Sequence, residues 1–118
     1  NNTNAYEEGP MYFYKSKDRV SKEIVPGGKI KTFWGTNTML SLVDINPGVE
    51  VALHTHPHEQ SGMVLEGELE MGIDGEVRIL EVGDMYIIPG DVEHYAKARS
   101  LPARVLDIFS PVREDYQY

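Results

Sequence analysis

At 118 residues the chain has the length of a single domain, 1–118, able to bury a core of its own. Its 41% hydrophobic and 25% charged composition is ordinary for a water-soluble globule, and no apolar run approaches the roughly 20 residues that a membrane-spanning helix needs. With 19 acidic against 11 basic residues the net charge is −8, which argues against a nucleic-acid partner, and the lack of cysteine removes disulfides, thiolate ligands and a cysteine nucleophile together.

No signal peptide is visible, so the cytoplasm is the default expectation, although the chain starts at Asn1 and not at methionine. In chain order, only Ser16 to Glu23 reads as helical. Turn signals then recur at short intervals: PGG at 26–28, NPG at 46–48, DG at 74–75, VGD at 82–84 and PGD at 89–91. Between them lie β-branched and aromatic runs: TMLSLVDI, VEVALHT, SGMVLEGELEMGI, EVRILEV, DMYIIP, EHYAKA and ARVLDIF. The pattern predicts an all-β chain, a sandwich or barrel. Asp74-Gly75 predicts a two-residue hairpin, and Gly67 interrupts a strand pattern as a bulge or tight corner would.

Three of the four histidines fall in the stretch HTHPHEQ, residues 54–60. Positions two apart on a strand share a face, so His54 and His56 can present their imidazoles to one metal ion. A histidine-rich surface loop is the plain alternative. His94, after the strand and proline turn of GDMYIIPGDVEH, offers a third imidazole from elsewhere in the chain. Glu59 has the opposite parity to Gln60, and Pro57 makes the direction of His58 unreliable, so one of these two is expected behind the ligands or in solvent. In RVLDIFSP, Asp107 shares a face with Val105 and Phe109. A carboxylate in such company needs a partner or a raised pKa; it is either an acid/base group in a cavity or an edge residue facing water. Tyr86, Met63, Met71, Met85 and Trp34 read as core side chains, and Tyr95 as a candidate at the pocket mouth.

The segment Gly48-VEVAL-His54-Thr55-His56-PHE-Gln60-SGMVLE-Gly67 resembles the first motif of the cupin superfamily, and Gly83-DMYII-Pro89-Gly90-Asp91-VE-His94 resembles the second. The resemblance implies a single-domain cupin of the small, cupin_2 kind, an antiparallel β-barrel of the double-stranded β-helix or jelly-roll type with its core barrel over about 30–112. It further implies a homodimer, with one divalent metal ion held by His54, His56, Gln60 and His94. Zinc, nickel, manganese and iron all suit such donors. Three departures stand out: Gln60 where the motif carries an acid, Asp91 for a glycine, and Ala98 where an asparagine often lies. A neutral carboxamide leaves a divalent ion with its full charge, which favours Lewis-acid chemistry on an anion and weakens metal retention.

The tail Asp107-Ile-Phe109-Ser-Pro111-Val-Arg113-Glu-Asp115-Tyr116, taken with HTHPHEQ, is similar to the KdgF family of pectin and alginate catabolism. That similarity implies linearisation of unsaturated uronates, small anionic substrates, by an isomerase-like ring-opening and ketonisation. It gives Asp107 the acid/base role, Phe109 a pocket wall and Arg113 the substrate carboxylate. The bland reading of Arg113 is a surface residue paired with Glu114 or Asp115. Two other functional classes fit the same histidines: an iron- or manganese-dependent dioxygenase, and a non-catalytic sugar or metal sensor.

Overall fold

The computed structural model describes residues 11–118. Among the described residues, ten strands follow a single turn of 3-10 helix at Ser16–Asp18: β1 (Lys22–Val25), β2 (Gly28–Trp34), β3 (Met39–Ile45), β4 (Glu50–His54), β5 (Glu59–Glu66), β6 (Leu69–Ile73), β7 (Glu76–Leu80), β8 (Met85–Ile88), β9 (His94–Ala98) and β10 (Ala103–Ser110); a second 3-10 turn occupies Glu114–Tyr116. The fold is all-β, as the turn spacing predicts. The helical reading of residues 16–23 holds only for its first three residues. The rest becomes coil and strand because Lys22 and Glu23 pair with Ile30 and Lys29 of β2 across the turn at Gly27, where φ is +83°. Cross-strand pairing overrides a weak local helix preference.

The strands form two antiparallel sheets, one of six in the order β1-β2-β3-β10-β5-β8 and one of four in the order β4-β9-β6-β7. These are the two faces of a jelly roll. Alternation along β3 and β10 buries Met39, Ser41, Val43 and Ile45, and Ala103, Val105, Asp107 and Phe109, between the sheets. Ile30, Val64, Leu69, Tyr86, Ile88 and Ala98 complete the core from the other strands. Of the methionines read as core, Met71 is buried there, whereas Met85 points outward and is 74% exposed because it alternates with Tyr86.

Two turns explain how one run of sequence feeds both sheets. Gly67, at φ +75°, ends β5 in the large sheet, and β6 begins two residues later in the small one. A side chain at Gly67 would collide with the Pro102 carbonyl, so the corner requires glycine for its backbone angle and for its clearance. Asp74 and Gly75, both at positive φ (50° and 81°), close the β6–β7 hairpin with Ile73 opposite Glu76, the geometry that Asp-Gly favours.

Gly67→Ala is expected to lower stability by roughly 2 kcal/mol or more, since it adds left-handed strain to a backbone collision. A urea titration measures this; an unchanged midpoint would mean that the corner relaxes freely.

Candidate metal centre

The site forms where the two sheets face each other near one end. His54, the last residue of β4, lies directly opposite His94, the first of β9. The register slips between Val51 and His54, so that both Val51 and His54 line the interior despite their opposite parity. A bulge of this kind re-aims a side chain. His56 follows in the loop, and Gln60 and Asp107 come from the large sheet through β5 and β10.

One ring nitrogen from each of His54, His56 and His94 falls in a cluster within 4.8 Å. Each imidazole is oriented in the same way. His54 Nδ1 lies 2.7 Å from the Ala52 carbonyl, His56 Nδ1 3.0 Å from that of His58, and His94 Nδ1 2.9 Å from that of Val92. A carbonyl can only accept, so Nδ1 carries the proton and Nε2 keeps its lone pair. Burial pushes His94 down to about 4, and burial and the Arg113 charge hold His56 below its ordinary value, so both rings are neutral at neutral pH.

The donor set fits a divalent cation. His94 Nε2 is buried without a hydrogen-bond partner. Gln60 Oε1 sits 3.0 Å from His56 Nε2, two acceptors facing each other unless a cation lies between them. On its other side the glutamine lies near Asp107, where its amide favours the ionised carboxylate. A glutamate at position 60 would instead set a second carboxylate against Asp107. This gives the departure from the acidic motif a physical cause.

Asp107 is 7% exposed. Burial raises its pKa to about 6, against the hydrogen bond from Tyr86, the neighbouring Gln60 amide and the Arg113 charge, which oppose the rise. The Tyr86 hydroxyl donates to Asp107 Oδ1 at 2.5 Å. Phe109 packs its ring against His56 at 5.7 Å and against Tyr116 at 5.6 Å. Arg113 lines the same cavity with its side chain only 12% exposed; its Nε donates to Asp115 and its guanidinium lies 3.8 Å from the Tyr116 ring centre. It thus makes the carboxylate pairing of the bland reading, but from inside the pocket.

Tyr95 does not reach the cavity. It alternates with His94, so it projects from the outer side of the small sheet, covers Gly72 and donates to Glu70 at 2.8 Å. Glu59 is exposed, and His58 supports the site through its backbone carbonyl. Tyr86, which could line the barrel but reads as core, and Tyr116 are polar cavity residues to which the sequence alone assigns no role. The signal for Tyr86 was Gly62, a glycine inside a strand; for Tyr116 it was only its place in the tail.

The proline turn of the second motif braces the first. Asp91 N–H donates to the His56 carbonyl at 2.8 Å, and Asp91 adopts φ +67°, a left-handed backbone that suits the glycine the motif carries at this position.

The cupin domain profile matches residues 41–109. The chain is 32% identical over 84 residues to the pectin degradation protein KdgF of Dickeya dadantii, covering 70% of this chain and 76% of that one. Among solved structures it is similar to KdgF from Halomonas sp., with a TM-score of 0.85 and 29% identity over 91% of this chain and 99% of the other. A RmlC-like cupin from Shewanella frigidimarina matches equally well, at 0.85 and 29%, over 91% and 96%.

Replacing His54, His56 or His94 by alanine is expected to weaken divalent-metal binding by at least about a hundredfold, beyond what loss of a supporting group usually costs. Gln60→Glu is expected to tighten it, because the added negative charge faces the cation. Calorimetric titration with zinc or nickel reads both; equal affinity in the His94→Ala variant would remove that residue from the centre.

Proposed function

The chain belongs to the cupin family and is KdgF-like, and from that premise we propose that it is an enzyme that linearises unsaturated uronates, with His54, His56, Gln60 and His94 holding one divalent ion. The observation that carries this reading is the meeting of three kinds of group in one cavity: neutral metal donors, a buried carboxylate at Asp107 and a guanidinium at Arg113. A divalent ion bound there supplies a Lewis acid that polarises a substrate oxygen.

The reaction is an isomerisation without redox change. Ring opening breaks the bond between the anomeric carbon and the ring oxygen; a proton leaves the anomeric hydroxyl and one arrives at the ring oxygen. Ketonisation then moves a proton from the enol oxygen to the neighbouring carbon. Asp107, buried and raised to about 6, is suited to accept and return such protons. Arg113 offers two parallel N–H groups to the substrate carboxylate, and its positive charge offsets the repulsion that a chain of net charge −8 exerts on an anion. Phe109 closes the cavity wall beside His56 and keeps water away from the opened ring. The similarity to KdgF proteins supports the substrate class.

NMR of unsaturated uronates with the metal-loaded protein is expected to show loss of the ring form well above the spontaneous rate. Asp107→Asn is expected to lower kcat by about a hundredfold or more at unchanged metal content. Arg113→Lys is expected to raise KM roughly tenfold through loss of the planar fork. No acceleration by the wild type would refute the reading; acceleration with oxygen uptake would replace it with an oxygenase.

A further inference from the structure

We infer that Tyr86 is a positioning residue for Asp107, acting across a gap that Gly62 leaves open in the six-stranded sheet. The inference rests on the reading above that Asp107 carries the proton. Three neighbouring strands place these residues in one row: Asp107 of β10 lies opposite Gly62 of β5, which lies opposite Tyr86 of β8. Adjacent strands are about 4.8 Å apart, so β10 and β8 stand roughly 10 Å from each other. Side chains on such strands are normally separated by the one between them.

Here nothing stands between. A Cβ on Gly62 would lie 2.5 Å from Asp107 Oδ1 and 2.5 Å from the Tyr86 hydroxyl, at the two ends of their hydrogen bond. Gly62 has no positive φ, so what its position demands is space and not an unusual backbone. The glycine and the tyrosine therefore serve the same contact.

Packing accounts for the Tyr86 ring, which belongs to the core between the sheets, but not for its hydroxyl; phenylalanine would fill that volume. A buried hydroxyl must be paired, and this one is spent on the carboxylate. Tyr86 fixes one oxygen of Asp107, with the Gln60 amide near the same carboxylate. Fixing the carboxylate plane reduces the rotation that would otherwise precede each proton transfer.

Tyr86→Phe keeps the ring and removes only the hydroxyl. It is expected to lower kcat on unsaturated uronates roughly ten- to a hundredfold, the scale of a hydrogen bond to a charged group, with KM and metal content unchanged. Gly62→Ala is expected to produce at least as large a loss of kcat. Wild-type kcat in Tyr86→Phe, or a loss confined to KM or metal content, would overturn the inference. A downfield hydroxyl proton resonance, present in the wild type and lost in both Tyr86→Phe and Asp107→Ala, reports the bond without any turnover. If the wild type converts no uronate, the reaction assignment fails, and this resonance alone decides: its presence keeps the clamp on Asp107, and its absence overturns it.

Discussion

Polar groups inside an apolar barrel are costly unless each has a partner, and this constraint organises the whole site. The interior between the two sheets is otherwise Ile30, Val43, Leu69 and Val105. Into it the chain inserts three imidazoles, an amide, a carboxylate and a phenol, and most of their polar atoms are answered; outside this set, among the described residues, the buried Ser41 hydroxyl and His58 Nδ1 have no partner. The imidazole Nδ1 protons go to backbone carbonyls, the Tyr86 hydroxyl goes to Asp107, and the Gln60 side-chain oxygen lies against His56. What is left over is chemically informative. The Nε2 lone pair of His94 has no protein partner, and the Gln60 oxygen faces another acceptor. These two unpaired acceptors share one cavity with His54 and are the donors a cation would take.

The chain is negative as a whole, yet a guanidinium lines its cavity. Most acidic residues lie on outward-facing positions, as Glu59, Glu76 and Asp84 do. Arg113 is drawn inward by the Tyr116 and Phe109 rings and by the Asp115 carboxylate. A divalent ion held by neutral ligands would make the cavity positive in a negative molecule. Screening over about 10 Å confines the outer repulsion to the approach of the ligand.

Much of the fold was legible because turn chemistry and alternation are local. Asp74-Gly75 specifies its hairpin, and the parity of Asp107 with Val105 and Phe109 places all three on the inner face. Gln60, His54, His56 and His94 meet where spacing and resemblance together put them. Tyr95 could also have been placed correctly, since a residue next to an inward histidine on a strand must face outward. Other features depend on pairings that no single segment contains. The contact of Tyr86 with Asp107 requires the register of three strands, and the residues after Asp18 are held in extended form by β2, a strand that comes later in the chain. The bulge before His54 is likewise a property of the β4–β9 ladder and not of the sequence VEVALH alone.

The three carbonyls that orient the imidazoles all lie two residues from the ring they hold: Ala52 for His54, Val92 for His94 and His58 for His56. Each histidine thus carries its tautomer control within its own tripeptide, independent of the strand that brings it to the cluster. Each motif sets the tautomer of its own rings, and the Asp91 N–H bond to the His56 carbonyl ties the two motifs together. Such a centre is portable: the strands between the two motifs can diverge freely, and with them the cavity walls, without disturbing how any ring presents its lone pair. The chemistry of the pocket can change around a donor set that stays the same.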